Sequence, residues 1–361
     1  MPPSNGFVVG LLRSSAKAYA AHAAEVLLER HPACAEQYGN SAFRQWHQHL
    51  IHRISELAAA MEVNDPELLA SQLRWSRAAF EARQVPAEQL AQSLEALRAA
   101  LTKELPGESG PLAAQFLQES LTRYESSPHD LPRLSHESPE GRLAMQYLEA
   151  VLSGERRRAI DLMIDAVDNG MSMLSAYEQV LLPAHAEIGT MWHLGELGIW
   201  EEHVATEATR TAMSVLAHIN RPSDSRPETI VVGAVQGDPH DIGVRAVADV
   251  FDAAGFRTIN LGGDTPIEEV PKAVLAFEGS VLVLAASLSL HLSSVASTVR
   301  AARQARSEPR LRVIVGGAGF GESSSYAEHV DADALAHSPS EALHLVENWF
   351  GHPPAFPLPG D

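Results

Sequence analysis

Residues 234–251 read AVQGDPHDIGVRAVADVF, and the fold turns on them. The run Thr229 to Val235 is apolar and β-branched and predicts a strand, while Val244, Val247, Ala248 and Phe251 share one face of a following helix. Asp238, Pro239, His240, Asp241, Ile242 and Gly243 therefore occupy a loop at the carboxyl end of a first parallel strand, where open α/β sheets hold their ligands. Asp238 can accept a hydrogen bond from one imidazole nitrogen of His240 and leave the other nitrogen to a metal. Gly243 lets the backbone approach a bulky ligand closely. An ordinary surface loop explains these six residues equally well when they are taken alone.

Two later stretches change that balance. The apolar strand Val281 to Ala285 runs into Ser287, Leu288 and Ser289, and Leu311 to Val315 ends in Gly316 and Gly317. In this order and spacing the three stretches resemble the cobalamin-binding domain of methionine synthase, methylmalonyl mutases and corrinoid proteins, whose fingerprint is DxHxxG, then SxL, then GG. The resemblance covers residues 228–350 and implies a Rossmann-like α/β domain with a parallel sheet. It also implies that His240 ligates cobalt from the lower side, with Asp238 holding its tautomer. Gly243, Ser287, Ser289, Gly316 and Gly317 would line the slot for the cofactor's nucleotide tail. Ser289 stands where the fingerprint has leucine; a small polar residue occurs there in light-sensing members.

The chain has 361 residues, 45% of them hydrophobic, which is enough for two or three domains with real cores. A formal charge of −19 argues against a nucleic-acid partner. The single cysteine, Cys34, excludes a disulfide framework and suits a reducing cytoplasm. Neither a membrane-spanning run nor a signal peptide is indicated.

Residues 8–124 read as an all-α domain, with helices predicted over Ser14 to Leu28, Ser41 to Met61, Pro66 to Arg83 and Pro86 to Glu104. Trp46, His47, His49 and His52 stand close together, and Trp75 lies between Arg74 and Arg77. A solvated face with an amphipathic tryptophan at its edge accounts for this cluster. The stretch LLASQLRWSRAAFEARQVPAEQLAQSLEALRAAL is nonetheless similar to the helical sensory domain of the photocobilins. That similarity implies biliverdin as a second chromophore, whose propionates and pyrrole carbonyls need such cationic donors.

Residues 125–139 lack periodicity and read as a linker. From 140 to 220 four helices are expected, approximately Gly141 to Leu152, Glu155 to Asn169, Met173 to Leu194 and Trp200 to Asn220. Their short loops and apolar faces predict a four-helix bundle. Residues 221–228 form a second linker, and 351–361 a Pro-rich tail.

Within the bundle, Trp192 precedes Glu202 and His203 in the pattern W-x9-EH, and His193 adjoins Trp192. Packing and capping would explain any one of these residues, since a glutamate in a first helical turn suits the helix dipole. The combination resembles the helical cap of the adenosylcobalamin photoreceptors. The resemblance implies that Trp192 covers the adenosyl group, Glu202 hydrogen-bonds its ribose, and His203 closes the site. The expected function is then light sensing through adenosylcobalamin, not enzymatic catalysis. Photolysis would free the upper face for His193 as a second cobalt ligand and alter a homo-oligomer or the docking of an effector protein. The alternative is a corrinoid shuttle in a methyltransferase system, which shares the bundle-plus-sheet layout but presents a smaller methyl group.

Overall fold

The structure, a computed structural model, describes residues 4–36, 38–126, 131, 133–220, 225–306, 308–321 and 325–356. Parts of both expected linkers (127–130, 132 and 221–224) and the end of the Pro-rich tail (357–361) lie outside the described residues. The chain divides into two compact units, Met1–Leu131 and Pro132–Asp361.

The first unit is helical throughout its described residues: α1 (Asn5–Arg30), α2 (Ala33–Glu36), α3 (Ala42–Glu62), α4 (Pro66–Ala82), α5 (Ala87–Glu104) and α6 (Ser109–Ser126). Helix α1 begins nine residues before the expected Ser14, because the Ser4 side chain caps the amide of Phe7. Ser15 has non-helical angles (φ −126°, ψ 18°), and this kink interrupts the apolar spacing that marks the helix in the sequence. Helix α6 is not among the expected helices. It follows Pro106 and Gly107, where breaker residues obscure the apolar stripe of Ala113, Phe116 and Leu117. Helix α1 packs on α3 and α5, and α4 on α6.

The second unit opens with the bundle. Its helices are α7 (Pro139–Leu152), α8 (Arg156–Asp168), a third helix in pieces and α11 (Ile199–Ile219). The third helix starts as α9 (Met173–Ser175), widens into a π turn over Ala176–Leu181 and resumes as α10 (Leu182–His193). Pro183 accounts for the widening: it has no amide proton to donate into an α-helical ladder, so the preceding turn takes up an extra residue. Tyr147, Tyr177, Ile188, Ala205 and Leu216 fill the bundle core.

The α/β part is a five-stranded parallel sheet of order β2-β1-β3-β4-β5. The strands are β1 (Thr229–Ala234), β2 (Arg257–Asn260), β3 (Val281–Ala285), β4 (Arg312–Gly316) and β5 (Ala334–Ala336). The helices between and after them are α12 (Ile242–Ala253), α13 (Glu269–Ala276), α14 (Leu292–Ala305), α15 (Ser325–His329) and α16 (Pro339–Phe350). All six residues of β1 are buried, as its continuous apolar run requires in a strand covered on both faces. The edge strands β2 and β5 carry no such run, and nothing in the sequence announces them. The start of the Pro-rich tail is anchored: the Pro353 carbonyl accepts from Arg226, and His352 Nε2 lies 2.8 Å from Glu228 Oε2. Among the described residues no helix is long and apolar enough to cross a membrane.

Bundle and sheet share one core. Helix α11 packs on α12, and the buried Tyr177 hydroxyl lies 2.9 Å from Asp249 Oδ2 on α12 and 3.1 Å from the Met213 carbonyl. Burial pushes both the Tyr177 phenol and the Asp249 carboxyl upward. Tyr177→Phe leaves these acceptors without their donor and should cost about 1–3 kcal/mol. Urea unfolding of parent and variant, at equal slope, measures the difference.

Candidate functional site

The strand order reverses between β1 and β3, so a crevice opens beyond the carboxyl ends of these two strands. The loop after β1 lies beside it. Gly237, at φ 90°, turns the chain there, and its amide donates to Asp264 Oδ1 at 2.7 Å. Asp238 is fully buried under this loop. Its Oδ1 accepts from the His240 amide at 3.2 Å and lies 2.7 Å from His240 Nδ1, while its Oδ2 accepts from the Ser287 amide at the end of β3. His291 Nδ1 stands 3.5 Å from the same Oδ2.

One buried carboxylate thus ties the loop after β1 to the loop after β3. Burial alone would raise the Asp238 pKa, but the bond to His240, the nearby imidazole of His291 and the hydrogen bonds from backbone amides outweigh it and hold the carboxyl well below its usual range. The Asp238 carboxylate in turn raises the His240 pKa, against the opposing effect of burial. The His240 side chain is 57% exposed. With Nδ1 held by Asp238, Nε2 is left as the nitrogen a metal can use, which is how histidine ligands are usually oriented. A β-carbon on Gly243, in the first turn of α12, would meet nothing within 4 Å, so no neighbour in the chain requires glycine there.

Ser287 and Ser289 follow β3, the first half-buried and the second buried. Gly316 and Gly317 have an intramolecular reason to be glycine. A β-carbon on Gly316 would lie 2.3 Å from the Ala336 carbonyl oxygen, and one on Gly317 2.6 Å from that of Ala286. Gly317 also takes φ 101°. The pair lets β4 approach its neighbours on both sides, so that the room freed by these two residues is filled by the chain's own backbone.

At the bundle end, the turn from α10 into α11 is closed by amides of Glu196 and Leu197 donating to the Met191 carbonyl, with Gly195 at φ 74°. Glu201 caps α11 by accepting from the Gly198 amide at 2.7 Å. Trp192 is 45% exposed. Glu202 is half-buried; its Oε1 accepts from Thr206 Oγ1 at 2.6 Å and its Oε2 lies 3.6 Å from His203 Nε2. His203 is turned outward, toward a groove shared with the first turn of α8. Helix α11 is also tied to the loop after β1, since Arg210 pairs with Asp241 at 2.8 Å.

His185 and His291 are not among the residues that sequence pattern singles out. Burial lowers the His185 pKa, and the charges of Glu202, His240, Asp241 and Arg210 all act on it. His185 therefore lies among residues of both the bundle end and the His240 loop. Its Nδ1 is buried and has no hydrogen-bond partner. On α10 it precedes Trp192 by seven residues, two turns along one face, and this spacing is the one signal the sequence offers for it. His291 has no comparable signal, as only the fold carries it under Asp238.

Part of the expected N-terminal cluster turns into the core. Trp46 is not at the edge of a solvated face but in the core, its Nε1 donating to the Cys34 carbonyl at 2.9 Å. His49 packs edge-on against Trp46, and burial drives its pKa well down. Arg74 pairs with Glu67, and Arg77 with Glu81. Among the described residues no group of three or more His, Cys, Asp or Glu is arranged to hold a metal ion.

Two family models, both described as B12 binding domain, match the chain, one over residues 143–217 and the other over residues 228–342. A corrinoid protein of Desulfitobacterium hafniense is 25% identical over 207 residues, covering 56% of this chain and 95% of its own. A trimethylamine corrinoid protein of Methanosarcina barkeri is 23% identical over 202 residues, covering 55% of this chain and 92% of its own. The solved structure of the Methanosarcina barkeri monomethylamine corrinoid protein shares the fold, with a TM-score of 0.51 at 21% identity over 58% of this chain and 98% of that one. The helical bundle and the five-stranded sheet bearing His240 thus place this part of the chain in the cobalamin-binding, Rossmann-like family.

Proposed function

We propose that this chain is a non-enzymatic cobalamin carrier of the corrinoid-protein type, which presents the upper face of its cofactor to a partner methyltransferase. The observation that carries the reading is the Asp238–His240 pair at the β1/β3 crevice, beside a helical bundle, in a chain whose matched relatives are corrinoid proteins over nearly their whole length. These relatives favour the shuttle that the sequence left as the alternative over the light sensor. Bound cobalamin would supply a cobalt atom able to hold a methyl or adenosyl group.

The residues of the chain do the rest. Asp238 keeps His240 Nδ1 engaged, so that Nε2 would be the nitrogen that holds the cobalt. Gly243 leaves α12 open beside it, and Ser287 and Ser289 border the path of the nucleotide tail. Gly316 and Gly317 shape that path by letting β4 close on its neighbours. Trp192, His193, Glu202 and His203 would form the upper side.

One observation favours a second reading. Trp192 and Glu202 set a large aromatic surface and a carboxylate acceptor at the same end of the bundle, which suits a bulky hydroxylated group such as adenosyl better than methyl. In that reading the protein is an adenosylcobalamin light sensor: Trp192 would cover the adenosyl group, Glu202 would accept from its ribose, and His193 would be a second candidate ligand for the cobalt. The N-terminal unit would then hold biliverdin, and protein made with both cofactors would show an added far-red band.

His240→Ala should abolish the histidine-ligated visible spectrum. Asp238→Asn should weaken cobalamin binding by about ten- to a hundredfold. Spectroscopic titration of the purified apoprotein reads both effects, and unchanged spectra and affinities would remove His240 from the lower face. Brief green light on protein loaded with adenosylcobalamin in the dark separates the two functional readings. A carrier should give products indifferent to His193→Ala. A sensor should give a bis-histidine spectrum and a change in assembly, both lost in that variant.

A further inference from the structure

Helix α8 is charged against its own dipole. The peptide units of a helix leave partial positive charge at its N-terminus and partial negative charge at its C-terminus, so carboxylates belong in the first turn and cations in the last. Helices α4, α5, α7, α11 and α16 obey the first half of this rule with Glu67, Glu88, Glu140, Glu201 and Glu341 in their first turns. Helix α8 reverses it, reading RRRAIDLMIDAVD, with no acid in its first turn, no base in its last and no side-chain cap. Only Ala159 and Met163 are buried, so most of the helix faces outward. Arg158 has partners in Glu149 and Glu155. Among the described residues Arg156, Arg157, Asp161, Asp165 and Asp168 form no ion pair.

Reversed charges make sense against an antiparallel helix of the same kind. Arg157, Asp161, Ile164 and Asp168 recur at helical spacing and form one stripe. When the stripe is laid antiparallel on a second copy about a two-fold axis, Arg157 of each chain faces Asp168 of the other, and the two dipoles oppose. The register that pairs Arg157 with Asp165 instead sets Asp161 against Asp161, so charge selects the first. Such self-complementarity is what an isologous contact requires. Apolar surface adjoins the stripe. A groove of about 800 Å³ runs between the first turn of α8 and the start of α11, with Val204 in its wall. Val204 and Trp200, one turn before it, are both exposed, the tryptophan more so.

We propose that α8 is a homodimer interface, in which two copies of this chain pair antiparallel through Arg157 and Asp168, and the groove beside Val204 of each copy receives the C-terminal end of the other copy's α8. The proposal stands apart from the choice between carrier and sensor.

Sedimentation velocity of the full-length chain, at low and high salt, tests it. The parent should dimerise, and more weakly at high salt, because exposed ion pairs are screened. Arg157→Asp and Asp168→Arg should each weaken self-association by about ten- to a hundredfold, as two attractive pairs become repulsive. Mixing the two variants should restore dimers, since the aspartate introduced in one then meets the arginine introduced in the other, and the parental Asp168 of the first meets the parental Arg157 of the second. Arg157→Asp should also melt no lower than the parent at concentrations where both are monomeric, because it removes a cation from a helix N-terminus. A monomeric parent, a variant that associates as the parent does, or a mixture that fails to recover would each overturn the interface. Under the first outcome the stripe serves solvent or another protein.

Discussion

The rest of the site depends on one buried carboxylate. Asp238 is shielded from water, yet it stays charged because its oxygens are held by His240 and by the backbone amides of His240 and Ser287, with the His291 imidazole nearby. An uncompensated charge in that position would cost several kcal/mol. The compensation fixes three things at once: the tautomer of His240, the path of the loop after β1 and the approach of the loop after β3. The crevice at the strand reversal and the imidazole on its rim are therefore parts of one electrostatic arrangement, and neither can shift alone.

Bundle and sheet are coupled by polar groups as well as by their shared core. Tyr177 reaches from the bundle to Asp249 on α12, and Arg210 reaches from α11 to Asp241 beside His240. The second link ends one residue from the proposed cobalt ligand. Movement of α11 is thus transmitted to the loop through a pair that is partly exposed and hence sensitive to salt.

The sequence made legible what depends on local spacing. The β1-loop-α12 unit, the strand ends bearing Ser287 and Gly316, the four helices of the bundle and the Asp238–His240 pair all follow from short-range pattern. The features that escaped it depend on tertiary contact or on interrupted periodicity. His291 faces Asp238 only because β1 and β3 are neighbours. Helix α6 hides behind Pro106 and Gly107, and β2 and β5 are edge strands without apolar runs. Trp46, expected at the edge of a solvated face, is buried for a related reason: adjacency along the chain does not fix which side of a helix faces the core.

The π turn at Ala176–Leu181 sets an angular offset for everything after it. In an α-helix each residue advances the chain by about 100° around the axis. One residue fewer in this turn would therefore rotate Leu182–His193 by about that angle relative to the bundle core. His185 and Trp192 would turn together to another face of the helix, with their spacing intact. Pro183 thus acts as a phase-setting residue, and the direction in which Trp192 faces is decided two turns before it along the chain.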